Sequence, residues 1–250
     1  MKVLALVSGG KDSTMNMIKC KAEGHEIVAL ANLYPPTGKE ELDSFMYQSV
    51  GHDAIEAFAE CCELPLYRAP ISGRPVNQAY DYEPTVEDEV EDLFQLIRSV
   101  LEKHPDIKGI SSGAIHSTYQ KNRVENVCAR LGLVSLAYLW GREQSGLLRE
   151  MIESGIKAVL VKTAVIGLDS KHLLRTIGQM EETLNQLKDQ YGVNVCGEGG
   201  EFESLTLDCP LFPRFRMQIA EHEVVNHKPC SFAPVNYVKI KKISLIPKSN

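Results

Sequence analysis

The sequence predicts an α/β fold: a Rossmann-like parallel sheet with helices on both faces, followed by a smaller mixed α+β part. Three observations carry this. Apolar runs alternate with helix-spaced stretches through roughly the first 140 residues, the pattern of strands joined by covering helices. The first apolar run leads straight into a glycine loop and a helix start, Ser8-Gly9-Gly10-Lys11-Asp12-Ser13. From about Trp140 the chain changes to helices and short alternating runs, which suit antiparallel strands. The expected division is 1–140 and 141–250, as one continuous two-part body without repeats or a long linker.

Each element has its own signal. Val3-Leu4-Ala5-Leu6-Val7 reads as a buried strand, and Met15, Met17, Ile18 and Ala22 give the following stretch helical spacing. Ile27-Val28-Ala29-Leu30 is a second strand. Residues 34–44, with Pro35, Pro36 and Gly38, read as an irregular loop. A helix is expected over 49–62 and a strand near Pro65–Ala69. The acidic run from Glu87 to Asp92 opens a helix reaching Lys103; carboxylates there complement the helix dipole, so the run is read as a solvated face. A strand at Ile107–Ser111 precedes a helix from Tyr119 to Leu131, whose buried stripe is Val124, Val127, Cys128 and Leu131. Helices near 144–153 and 171–190 are separated by the strand Ala158–Ile166. Alternating runs from Glu203 onward complete the chain, with Lys239–Lys242 read as part of an edge strand.

Bulk properties exclude several classes. The 250 residues are 44% hydrophobic and 24% charged, as in ordinary globular proteins. No apolar run approaches the ~20 residues that span a bilayer, so no membrane partner is expected. The first apolar run is too short for a secretory signal, and a cytoplasmic location is expected. The net charge is −6 and Lys and Arg form no dense track, which argues against a nucleic-acid partner. Seven cysteines without a CxxC pair read as free thiols rather than disulfides or a zinc site. The seven histidines show no metal-ligand spacing. The aromatic pair Tyr80/Tyr82 is read as packing.

Chemistry concentrates in three segments. In Ser8–Ser13 the glycines let backbone N–H groups approach an oxyanion, and the helix start adds its positive end. Lys11 contributes a full charge, and Ser8 and Ser13 contribute hydroxyls. Neither GxGxxG nor GxxxxGK[ST] is present. The loop resembles SGGxDS of the ATP pyrophosphatases, which cleave ATP between its α- and β-phosphates. The second segment, from Ser117, places Tyr119, Arg123, Asn126 and Arg130 on a different helix face from the buried stripe. That face suits a nucleotide or carboxylate, and equally a salt-bridged surface. The third, Cys196-Gly197-Glu198-Gly199-Gly200-Glu201-Phe202-Glu203-Ser204, brings three carboxylates into a glycine-rich turn. Such repulsion is costly unless a metal, ammonium or cationic substrate group is held there; a solvated acidic loop is the alternative.

Together SGGKDS (8–13), ALANLYP (29–35), ELDSFMYQSVGH (41–52), LPLYR (64–68), DEVEDL (88–93), GAIHSTYQKNRVENVCARLGL (113–133), LAYLWGR (136–142) and CGEGGEFESLTLDCPLF (196–212) resemble the diphthine–ammonia ligase family, closest to its eukaryotic form. Phe202 stands where tyrosine is common and Ser204 where threonine is common. The resemblance implies an adenine nucleotide alpha hydrolase-like fold and a ligase that forms a carbon–nitrogen bond. ATP would adenylate diphthine, a modified histidine of translation elongation factor 2 that carries a trimethylammonium group. Ammonium would then supply the amide nitrogen, leaving AMP and pyrophosphate. No glutaminase part is visible, so free ammonium is the expected source. On this reading Ser8, Gly9, Gly10, Lys11, Asp12 and Ser13 bind ATP, and Asp12 holds Mg²⁺. Lys11, Asp12, Glu198, Glu201 and Glu203 are catalytic. Ser117, Tyr119, Gln120, Arg123, Glu125, Gly199 and Gly200 bind substrate. Glu201→Gln is expected to lose amidation while retaining ATP binding. A tRNA-modifying ATP pyrophosphatase and a non-catalytic nucleotide sensor are the alternatives. The first would need a basic face or an RNA-binding module; the second would show no turnover.

Overall fold

The computed structural model describes residues 1–36, 46–48, 50–228 and 233–248. Most of the loop expected over 34–44, and Cys230, lie outside them.

Five strands, β1 (Lys2–Leu6), β2 (Glu26–Tyr34), β3 (Leu66–Pro70), β4 (Ile107–Ser111) and β5 (Val134–Leu136), form a sheet of order β3-β2-β1-β4-β5. Every pairing in it is parallel. Four helices make the crossovers: α1 (Lys11–Ala22), α2 (Ile55–Cys62), α3 (Glu89–Lys103) and α4 (Thr118–Leu131). The strand period of two assigns the faces. Val3 and Ala5 of β1 pack into one core with Met15 of α1 and Phe58 of α2. Leu4, between them, packs into a second core with Leu93 of α3 and Val127 of α4.

The antiparallel sheet has the order β7-β6-β9-β8, formed by β6 (Lys157–Thr163), β7 (Phe202–Asp208), β8 (Phe215–Lys228) and β9 (Val235–Pro247). Helices α5 (Gln144–Glu153) and α6 (Ile177–Tyr191) pack with it. The core of Val3 and Phe58 continues through Leu148, Leu160, Leu184 and Leu205, so one apolar interior is shared by both sheets.

Three expectations change. β5 was not anticipated, because three residues are too few to show a period. The helix expected from 171 begins at Ile177, since Leu174 turns left-handed at φ 62° and Thr176 with Gln179 forms a capping box. β9 lies inside the sheet order rather than at its edge. Even so, β6 pairs only with its residues Asn236 and Tyr237, and Lys239–Lys242 pair with β8.

Candidate functional site

β1 sits between β2 and β4, so the chain leaves the sheet centre in opposite directions. In open α/β sheets the crevice beyond the carboxyl ends at this switch point receives ligands. A cavity of about 680 Å³ opens there, walled by the loop after β1, the β4–α4 turn and the 196–204 segment.

The loop after β1 is locked from the antiparallel sheet. The Lys11 N–H donates to Ser204 Oγ at 3.2 Å, and the Thr206 N–H donates to the Gly9 carbonyl at 2.8 Å. The Ser13 hydroxyl donates to the Gly10 carbonyl at 3.1 Å, while Ser8 Oγ accepts from the Gly10 N–H at 3.3 Å. Lys11 is only 2% exposed. Its ammonium reaches both Asp12 oxygens at 3.0 and 2.9 Å, donates to the Cys196 carbonyl, and lies 5.1 Å from the centre of the Phe202 ring. A buried lysine is thus kept in place by a carboxylate, a carbonyl and an aromatic face. Burial raises the Asp12 carboxyl above its ordinary range, against the opposing pull of Lys11.

The β4–α4 turn closes tightly on α1. A Cβ on Gly113 would stand 2.7 Å from the Ser13 nitrogen, so this position admits only glycine. Glu198 then clamps the turn: its carboxylate accepts from the N–H groups of Ile115 and His116 at 2.6 Å each, and of Ser117 at 3.2 Å. Ser117 in turn caps α4 by accepting from the Gln120 N–H.

Sequence expectations for the three glutamates need correction. They do not form one uncompensated acidic volume awaiting a cation. Glu198 is satisfied by three amides, and Glu203 accepts from Lys162 Nζ and the Val50 N–H, both at 3.2 Å. Glu201 accepts from the Asn194 N–H at 3.2 Å beneath its own turn, outside the cavity wall. Its other oxygen is buried with no hydrogen-bond partner among the described residues. The donors come from distant parts of the chain, which local composition does not reveal.

The α4 expectations divide likewise. Ser117, Tyr119, Gln120, Gly199 and Gly200 line the cavity. Arg123 is 0% exposed and faces away. It donates to the carbonyls of Tyr119, Asn77 and Ala79 at 3.2, 2.6 and 3.1 Å, and stacks on the Tyr119 ring. Glu125 pairs with Lys121 along the helix at 2.7 Å, also outside the wall.

Several wall residues escaped the sequence. Lys162 faces the cavity from β6; a lysine directly after the apolar run Ala158–Val161 was its only signal. Ser112 follows β4, and its hydroxyl is buried with no hydrogen-bond partner among the described residues, a group left for a ligand. Asn32 joins β2 to β1 by donating to the Val7 carbonyl at 2.9 Å.

Among the described residues no three His, Cys, Asp or Glu side chains group as metal ligands. Mg²⁺ is commonly held by one or two carboxylates together with substrate phosphates and water. Asp12, a single carboxylate 29% exposed beside the oxyanion loop, suits an ion carried by a nucleotide.

A parallel sheet with a Gly-Gly-Lys loop at its switch point defines an α/β protein whose site is built to receive a phosphate-bearing ligand. Family models narrow this: residues 1–135 match the diphthamide synthase N-terminal domain, and 143–246 match the diphthamide synthase C-terminal domain. The chain belongs to the diphthamide synthase family. It is 53% identical over 252 residues to the diphthine–ammonia ligase of Mus musculus, covering 99% of this chain and 94% of that one. The Homo sapiens protein of the same name is 54% identical with the same coverage. The Schizosaccharomyces pombe protein is 54% identical over 241 residues, which is 96% of this chain but 39% of that longer one. Among solved structures, a U34-tRNA thiolase from Methanococcus maripaludis aligns at 14% identity and a TM-score of 0.34, over 79% of this chain and 69% of that one.

Proposed function

We propose that this protein is a diphthine–ammonia ligase that uses ATP to amidate the diphthine of translation elongation factor 2. The family membership and the identity of about one half to relatives of that name support the reaction. The single observation that supports the site is the contact between two motifs far apart in sequence. Lys11 of the oxyanion loop touches Cys196 and Ser204, which flank the acidic segment, on one cavity wall.

The chain's residues divide the work as follows. The Ser8 hydroxyl and the Asp12 and Ser13 amides at the helix start seat the terminal phosphates. The diphthine carboxylate attacks the α-phosphorus, the bond to the bridging oxygen breaks, and pyrophosphate leaves. Lys11 stabilises the charge that develops on it as a preorganised, buried positive charge. Asp12 would hold Mg²⁺ carried by the nucleotide, and the ion would supply further charge neutralisation. Ammonia then attacks the acyl carbon, a carbon–nitrogen bond forms, and AMP departs with the mixed-anhydride oxygen. Glu198 and Glu203 both border the cavity, but three backbone amides occupy the Glu198 carboxylate; Glu203, held by Lys162, accepts the proton released as ammonium becomes amide. Glu198 acts through the β4–α4 turn, as a positioning residue. In this division 1–140 seats the nucleotide and 141–250 completes the substrate side, in the cytoplasm.

The test supplies the protein with ATP, ammonium and diphthine-bearing elongation factor 2. AMP and a diphthamide-bearing product are expected in equal amounts. AMP formed only on addition of tRNA, or no AMP at all, would overturn the reading.

A further inference from the structure

The 74–88 segment between β3 and α3 contains no helix or strand, yet it is tied down along its length. Its ends meet at a bridge between Arg74 and Asp88, with the Arg74 N–H donating to the Glu87 carbonyl at 3.0 Å. A Cβ on Gly73 would lie 2.6 Å from the Asp88 backbone, so only glycine lets the ends close. The Asp88 carboxylate accepts from the N–H groups of Val76 and Asn77, and Arg123 holds the carbonyls of Asn77 and Ala79 from below. Asn122 and Asn126 of α4 donate to the carbonyls of Tyr80 and Tyr82 at 3.0 Å each. This is a closed, internally braced Ω-loop, of a length more often functional than passive.

Such bracing normally serves to bury apolar side chains. Here Tyr82 is buried at 6% exposure, but Val76, Tyr80 and Val86 are held outward at 45%, 69% and 87%. Three of the seven large hydrophobic residues exposed among the described residues therefore fall within eleven positions of one fixed loop. That loop also borders the cavity, because Gln78 is part of its wall. Its exposed charges are Asp81, Glu83 and Glu87 against Arg74, a net negative rim that repels a polynucleotide and suits a polypeptide presenting a cationic side chain.

We infer that the 74–88 loop is the docking surface for the protein substrate, gripping the polypeptide around the modified residue while that residue enters the cavity. The inference rests on the proposed ligase reading, which requires a protein acceptor at the rim. A surface already rigid loses little entropy on docking, and an exposed tyrosine is a residue type that anchors interfaces.

The experiment compares wild type with the triple variant Val76→Ser, Tyr80→Ser, Val86→Ser, using diphthine-bearing elongation factor 2, ATP and ammonium. KM for the protein substrate should rise tenfold or more, with kcat, ATP affinity and thermal midpoint within twofold or unchanged. A photo-crosslinking p-benzoylphenylalanine at Tyr80 should capture the substrate protein, while the same group at Tyr191, at the end of α6, should not. An active wild type with an unchanged KM in the variant, a loss confined to kcat, or equal capture from both positions overturns the docking surface. Inactive wild type overturns the ligase reading, and the docking surface falls with it.

Discussion

Arg123 and Glu203 show how a charged residue's role depends on what surrounds it. Arg123 resembles a ligand-binding arginine on the first turns of a helix, but three carbonyls and two tyrosine rings occupy it. Arg123→Met leaves those carbonyls without a donor in a buried place. We expect a loss of about 3 kcal/mol in urea unfolding, since hydrogen bonds to a charged group are worth roughly 1.5–3 kcal/mol each and losses of this kind do not add fully. ATP affinity should persist, because Arg123 lies outside the cavity wall. Glu203 predicts the opposite profile. Glu203→Gln keeps the shape and the bond from Val50 while removing the proton acceptor, so amide formation should fall about 10²–10⁴-fold with ATP affinity preserved. Equal loss of both in a binding titration and a turnover assay would remove Glu203 from the proton step. The segment around it was legible as a site from its composition. What occupies each glutamate was not, because Lys162 and Val50, which orient Glu203, lie 41 and 153 residues away.

At the scale of elements, helix ends carry much of the organisation. α5 is capped by Glu143, whose carboxylate accepts from the N–H groups of Ser145 and Gly146 and pairs with Lys188 of α6. The Gly146 and Ser145 N–H groups, followed by Lys188, hold the Glu143 carboxyl down from 4.5 to about 2. A depressed folded value means that the unfolded chain takes up the proton first as pH falls. The stabilisation is therefore complete above about 4.5 and disappears as pH approaches about 2. Denaturation of wild type and Glu143→Ala should show a stability gap that is constant from pH 7 to 5 and narrows below pH 4.5. A gap independent of pH would mean that the carboxylate's charge contributes nothing. Elements with a full period, such as α3, α4 and β4, were readable from sequence to within a residue or two. β5, with three residues, and the turn before α6, where Leu174 adopts a left-handed conformation, were not. Their form is set by pairing with β4 and by the Thr176–Gln179 cap.

Over the whole molecule, the shared core joins β1 and α1 to α5, α6 and the antiparallel sheet. Because one interior spans both sheets, unfolding should be cooperative. Fluorescence of Trp140, the single tryptophan, and far-ultraviolet dichroism should give coincident urea transitions; displaced midpoints would show that one sheet melts first. Cys20, Cys61, Cys62, Cys196 and Cys209 lie in this interior and Cys128 in the second core; all six are free and buried, and burial pushes the thiols of Cys128, Cys196 and Cys209 up to about 12. By itself the sequence determined the α/β class, the oxyanion loop and the chemical kinds of group available, because these follow from local periodicity, glycine placement and side-chain identity. Only the tertiary structure decided which groups meet. Lys11 and Cys196 are 185 residues apart, and Ile115 and Glu198 are 83 apart. Whether a charge is left for a ligand or satisfied by the chain depends on partners that local sequence does not encode, because burial makes the nearest donor or acceptor decisive and the fold chooses it.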